Sequence, residues 1–254
     1  MVLTTDWVRL LIVCLVFVAA AGLVVRLTGL ASPKPFLTAA TRAVLQLAAV
    51  SAVITFVLTH LGFTWAFLAV MAVVATATSA RRTKTGRQGV WVAAAILVGA
   101  VPALGLLLAL GLLPVEGIAL IPVGGILIGG AMTATTLSAR RALDTFRDRH
   151  GEYEAARALG FGERDSVCLI IRQPAAEALI PALDQTRTVG LVTLPGAFVG
   201  MLLGGAPVWQ AGALQIVVLL ALLAVEAAAV ATVVELVARG LIRRASQESE
   251  VRLT

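Results

Sequence analysis

Long apolar runs recur through this 254-residue chain, at approximately 6–27, 38–61, 64–80, 89–113, 117–139, 174–203 and 210–238. A bilayer core takes about 20 consecutive apolar residues of helix. No water is present at that depth to satisfy backbone groups, so runs of this length cross as α-helices. The pattern predicts an all-α, polytopic transmembrane helical bundle of about seven spans, forming one membrane domain over 1–254. Composition points the same way. The chain is 59% hydrophobic and 13% charged, against about 45–50% apolar and roughly 25% charged in soluble domains, and its mean hydropathy is +0.98.

Basic residues mark the sides of the membrane. Lys34 lies between spans 1 and 2, and Arg81, Arg82, Lys84 and Arg87 lie between spans 3 and 4. Arg140, Arg141, Arg147, Arg149, Arg157, Arg164 and Arg172 fall between spans 5 and 6, and Arg239, Arg243, Arg244 and Arg252 follow span 7. The opposite connections, at 62–63, 113–116 and 204–208, hold no basic residue, and Arg9 alone departs from the pattern. Lys and Arg accumulate in cytoplasmic loops. The N-terminus is therefore expected outside and the C-terminus in the cytoplasm of a cell (inner) membrane. The net charge of +6 is spread over these loops with few aromatics among them, which argues against nucleic acid as a partner.

Ala19-Ala20-Ala21 looks like a signal-peptide cleavage site, but the start lacks a basic segment and the apolar run continues to Val25. It reads as a retained helix. Cys14 and Cys168 fall at different depths on this topology, which predicts no disulfide between them, and no Cys/His cluster has structural-metal spacing. Gly124-Gly125, Gly129-Gly130 and the four-residue steps Gly196, Gly200, Gly204 are expected to let helices pack closely within the bundle. The tail at 245–254 is short and polar.

The connection at about 140–173 is the one large polar stretch. Sparse apolar positions among charges predict helix, and within it stands Glu154-Ala155-Ala156-Arg157-Ala158-Leu159-Gly160, followed by Ile170-Ile171 and Pro174. A short cytoplasmic helix ended by a glycine, which tolerates a left-handed turn, can dock in a partner and pass on rigid-body motion. This segment resembles the EAA loop of ABC-importer permeases, with the proline one position late. The resemblance implies Glu154, Ala155, Ala156 and Gly160 as ATPase-coupling residues. No Gly-rich loop ending in Gly-Lys-Ser/Thr occurs, so ATP and Mg are expected on a separate ABC ATPase subunit, with no cofactor and no catalytic residue on this chain.

Span 6 carries the most unusual run, Ile180 to Gly196. Asp184 and Arg187, three residues apart, share a helix face and can neutralise each other. Pro195 cannot donate a backbone hydrogen bond and would clash with the Leu191 carbonyl, so a kink or break is expected beside Gly196. Broken helices in transporters offer carbonyls to cations, although an ion pair beside a packing kink is an equal reading. The run Ile-Pro-x-x-Asp-x-x-Arg-Thr-Val-Gly-Leu-Val-Thr-Leu-Pro-Gly is similar to the FetB family of iron-export ABC permeases, which includes plant relatives linked to aluminium tolerance. Arg42-Ala43, Gln46-Leu47, Ile121-Pro122, Ala131-Met132 and Gln215-Ile216 extend the likeness over roughly 41–218. The family pattern has Asn before the Ala-Met pair, where this chain has Gly130. The resemblance implies a membrane permease, two copies with two ATPases, exporting metal ions, iron first.

Glu226 lies in span 7, eleven residues after Gln215, so both point the same way. A carboxylate at that depth faces the bundle interior or a water-filled cavity, and Gln46, Thr193 or Arg42 are candidate partners. The candidate pathway is thus Gln46, Asp184, Arg187, Thr193, Pro195, Gly196 and Glu226, with Asp184 and Glu226 as candidate ligands of the transported metal. An ion-coupled secondary transporter using the same carboxylates is the competing reading. An intramembrane enzyme acting on lipid finds no Ser-His, His-Glu or paired-carboxylate constellation to support it.

Overall fold

A computed structural model describes residues 7–244 of the chain. Asp6, Arg252 and the whole 245–254 tail lie outside the described residues. Among those described, the regular structure is helical, apart from one isolated backbone bridge, Val189 to Thr193. The helices are α1 (Trp7–Thr28), α2 (Lys34–Thr59), α3 (Leu61–Thr83), α4 (Gly89–Ala109), α5 (Gly117–Asp148), α6 (His150–Ala158), α7 (Glu163–Ala176), α8 (Ile180–Thr188), α9 (Gly196–Leu203) and α10 (Val208–Ala238). Two 3-10 turns, Gly86–Gln88 and Glu177–Leu179, join α3 to α4 and α7 to α8.

The chain divides into two compact units, Met1–Thr59 and His60–Thr254. In the first, α1 and α2 form a helical hairpin, turned at Pro33, whose carbonyl accepts hydrogen bonds from the Phe36 and Leu37 amides. In the second, α5 is the central post, packed by α3, α4, α7 and α10. Its core is aliphatic: Ile96, Leu120, Leu127, Val225 and Val233 are fully enclosed. The glycines of α5 do what their spacing suggests at three of four positions. A Cβ at Gly124 or Gly125 would press on Leu68 or Met71, and one at Gly130 on Leu222, while Gly129 faces open space.

Seven helices among the described residues are long and apolar enough to cross a membrane, as predicted. Their bounds correct the sequence reading most at the sixth. The continuous helical stretch there is Glu163–Thr188 rather than 174–203, because α7 carries on through Pro174 into the 3-10 turn and Pro181 falls in the first turn of α8, where its missing N–H costs nothing. The helix then stops. The polar stretch at 140–173 is helical, as its sparse apolar positions predict: α5 runs to Asp148, α6 follows at once, and α7 begins at Glu163. Buried small and aliphatic residues explain why, since Ala142, Leu143, Val167, Cys168, Ile170 and Ile171 keep these charged helices packed on the core.

Candidate functional site

The first candidate region is α6 and what closes it. Leu159 ends the helix and Gly160 follows at φ +92°, a left-handed conformation that strains any L side chain. Its amide donates to the Arg157 carbonyl at 3.0 Å and the Phe161 amide reaches back to the Ala156 carbonyl at 3.2 Å, the paired pattern of a Schellman stop. Arg157 reinforces it by donating to the Phe161 carbonyl at 2.7 Å. Glu154 and Ala155 are exposed and Ala156 is the buried anchor. Glu154 lies 3.7 Å from His150, and Arg149 pairs with Glu152, which raises the guanidinium above its ordinary value through the shared hydrogen bond.

Sequence reasoning missed the apolar tip beside this stop. Leu159 and Phe161 stand exposed among charged neighbours, which gives α6 a greasy end flanked by Glu and Arg. It also missed the ion pairs that hold the same end of the bundle together. Arg164 reaches Glu235 of α10 at 2.6 Å, and Arg244 reaches Asp144 of α5 at 2.6 Å. Separations of 71 and 100 residues leave no local signal from which to find either pair. Between these elements lies a cleft of about 540 Å³, walled by Phe146, His150 and Tyr153 and rimmed by Arg147, Glu163 and Arg243.

The second region is the broken span. After Thr188 the chain makes a tight turn in which the Thr188 carbonyl accepts from the Leu191, Val192 and Thr193 amides, and Gly190, at φ +82°, donates to the Thr193 carbonyl at 2.8 Å. Pro195 is extended and serves as the N-cap of α9. The expected break is therefore present, but Pro195 starts a new helix instead of kinking an old one. Ala134, Ala178, Ala229 and Val230 form one buried cluster joining α5, the 3-10 turn and α10. From Ala178 to Thr188 is about 15 Å of helix, whereas α10 takes about 31 Å to run from Ala229 back to its start at Val208. The turn thus comes roughly halfway along the outer part of α10, with α9 covering the remainder.

Asp184 and Arg187 pair at 3.8 Å, as their spacing predicts, but both side chains are mostly exposed, at 62% and 72%. Thr193 and Gly196 are exposed and Pro195 is half-buried. A correction applies to the α9 glycines: a Cβ at Gly196 or Gly200 would meet nothing within 4 Å, and one at Gly204 only its own helix, so among the described residues no other helix presses on these positions. Gln46 lies on exposed α2, in the first unit.

Glu226 is the third feature. It is 8% exposed, on the packed face of α10 that also carries Gln215, and it makes no hydrogen bond or ion pair among the described residues. Thr193 is not its partner. Leu219 and Leu222, both buried, separate it from Gln215 along the same face, and the Gln215 side-chain oxygen is itself without a partner. Among the described residues no three His, Cys, Asp or Glu side chains gather as a metal site. Asp184 is exposed on α8, whereas Glu226 is buried on α10.

With this geometry in place, comparison with known proteins is decisive for the family. The profile of "Uncharacterised protein family (UPF0014)" matches residues 7–242. This chain belongs to that family. It is 36% identical over 186 residues to the UPF0014 membrane protein STAR2 of Oryza sativa subsp. japonica, covering 72% of this chain and 65% of that one. It is 34% identical over 181 residues to the protein ALUMINUM SENSITIVE 3 of Arabidopsis thaliana, covering 70% and 66%. The chain therefore spans just under two thirds of the length of these two relatives. A third relative, from Escherichia coli (strain K12), is named "Probable iron export permease protein FetB" and is 32% identical over 129 residues, about half of each chain. No solved structure matches. Family and apolar helices together make this UPF0014 protein a multi-pass membrane protein.

Proposed function

We propose that this UPF0014 chain is the membrane-spanning permease subunit of an ABC transporter that exports metal ions, iron first among them, using ATP hydrolysed on a separate subunit. The observation that carries the reading is α6: a short helix stopped at Gly160, carrying Glu154-Ala155-Ala156 and an exposed Leu159–Phe161 tip at the charged end of the bundle. Such an element fits a groove on an ATPase and transmits its movement along α5 and α7 to the broken span. The name of the Escherichia coli relative supports export of iron, and the basic loops support a cytoplasmic position for α6 and the C-terminus, with the N-terminus outside.

In this reading ATP and Mg bind the partner, and hydrolysis appears only in the complex of two permeases with two ATPases. The core of the His60–Thr254 unit is aliphatic, so the route for a cation runs along the outer face of α8, the turn and α9. Asp184, Arg187 and Thr193 line it there, with the carbonyls around Pro195. Glu226 is a second oxygen donor reached from the α5–α10 seam. Iron(II) accepts such carboxylate and carbonyl oxygens.

The test is metal uptake into inside-out vesicles holding the permease with its ATPase. Uptake should require both subunits and ATP. The buried carboxyl of Glu226 favours one alternative, an ion-coupled secondary transporter of cations or small solutes. Gradient-driven uptake by the permease alone, without ATP, would establish that alternative and remove the ABC reading.

A further inference from the structure

The cleft of about 540 Å³ at the charged end of the bundle has a wall and a charge that the coupling of α6 leaves unused. Its volume falls in the range of small-molecule sites, about 300–1,000 Å³. The wall is aromatic. Phe146 of α5 meets His150 and Tyr153 of α6 edge-on, with ring centroids 5.5 and 5.4 Å away, and His150 stacks on Tyr153 at 5.3 Å. These rings hold one another in place, and Leu143, Val167, Val237 and Ile242 add aliphatic lining.

The charge is Arg243. The arginines around it are closed: Arg147 pairs with Asp148, Arg164 and Arg239 with Glu235, and Arg244 with Asp144. Arg243 is half-buried, and its side chain makes no hydrogen bond or ion pair among the described residues. It is held in place all the same. Its amide donates to the Gln88 side-chain oxygen at 2.6 Å. Its guanidinium lies over Gly240, where a Cβ would run into Nη2 and stand 2.8 Å from Cζ. Gly240, at φ +67°, thus ends α10 and leaves room for the guanidinium in one step. Glu163, also on the rim, is exposed and forms no ion pair with Arg243.

We propose that this cleft binds a small organic anion carrying a flat ring. The ring lies in the apolar volume against Phe146, His150 and Tyr153, and the oxyanion closes on Arg243. A guanidinium fork takes a carboxylate or a phosphate through the same pair of parallel hydrogen bonds, so an oxyanion on a ring is the chemistry that the cleft selects. Its walls come from α5, α6, α7 and the end of α10. An occupied cleft therefore ties α6 to the bundle and slows ATP-driven transport. That consequence rests on the permease reading, whereas the binding itself does not.

The probes are phenyl phosphate and benzoate, offered to the full chain in lipid nanodiscs and followed by saturation-transfer NMR, with empty nanodiscs subtracted. Both should bind saturably, and binding of one alone identifies the oxyanion. Inorganic phosphate, which lacks the ring, and phenol, which lacks the oxyanion, should each bind at least about ten-fold more weakly. Arg243→Gln should weaken both probes by about ten-fold or more, and Arg243→Lys, which keeps the charge without the fork, should fall between. Tyr153→Leu keeps apolar bulk and removes a ring, so it should weaken phenyl phosphate and leave inorganic phosphate unchanged. Glu163→Gln takes a like charge off the rim and should tighten both probes. Arg81→Gln, exposed on α3 outside the cleft, is the control and should bind as the unaltered chain does. Failure of both probes, inorganic phosphate binding as tightly as phenyl phosphate, or unweakened binding by Arg243→Gln would each overturn the proposal. If the probes bind and transport proves independent of any ATPase, the permease reading fails and the site remains. If transport is ATP-driven and neither probe binds, the site alone fails.

Discussion

A Cβ at Gly130 of α5 would stand 2.9 Å from the Glu226 Oε1 of α10, while one at Gly99 of α4 would meet the Val225 carbonyl oxygen at 2.6 Å and the Val225 Cα at 3.0 Å. Two glycines on different helices therefore hold α10 at two successive residues. The obstacles differ in kind. Gly130→Ala displaces the ends of the Leu222 and Glu226 side chains, which can rotate, whereas Gly99→Ala meets backbone. Overpacking a close-packed interior costs about 1–3 kcal/mol, and Gly99→Ala should sit at the upper end. Thermal unfolding midpoints of the detergent-solubilised chain check this. Equal or negligible losses for the two variants would contradict the clamp.

Thr136 of α5 donates to Ser79 of α3 at 2.9 Å across a fully buried contact. Thr136→Val leaves the Ser79 hydroxyl stranded, at a cost of roughly 1–3 kcal/mol. Removing both polar groups, as Ser79→Ala with Thr136→Val, should cost less than the sum of the single changes. A double-mutant cycle in the same unfolding assay measures the coupling, and strict additivity would mean the bond contributes nothing.

Gly160 at φ +92° tests the coupling role proposed for α6. Any L side chain is strained there by about 1–2 kcal/mol, and Gly160→Arg also puts bulk beside the exposed Leu159 and Phe161. ATPase co-purification and ATP-driven transport should both be lost. Gly151→Ala, in the first turn of α6 with open space around it, is the matched control and should leave both intact. Normal transport by Gly160→Arg would remove α6 from the mechanism.

Much of this was legible in the sequence because it rests on periodicity and on residues with special backbone behaviour. Apolar run length gave the crossings, Gly160 gave the end of α6, and Pro195-Gly196 gave the interruption of the sixth span. The extent of α7 was hidden because charged positions such as Glu163, Arg164, Asp165 and Arg172 mask the buried face of Val167, Cys168, Ile170 and Ile171. The role of the α9 glycines was misjudged for a similar reason. Four-residue spacing tells that a helix can be approached closely, but not which chain approaches it. Contacts such as Arg164–Glu235 and Gly99–Val225 depend on tertiary juxtaposition alone and leave no local trace.

Asp184 and Glu226 allow function to be separated from structure. Asp184 is mostly exposed within the chain and its pair with Arg187 is long, at 3.8 Å, so Asp184→Asn, of nearly the same shape, should leave the unfolding midpoint of the detergent-solubilised chain nearly unchanged. Glu226 makes no hydrogen bond or ion pair among the described residues, so Glu226→Gln, of nearly the same shape, should also keep the fold. If both carboxylates bind the exported cation, each variant should still reduce metal export and raise cellular iron after metal stress. A structural role predicts the opposite pattern, with a changed midpoint and normal export. Unchanged cellular iron in both variants would exclude them as ligands and return the route to backbone carbonyls of the broken span.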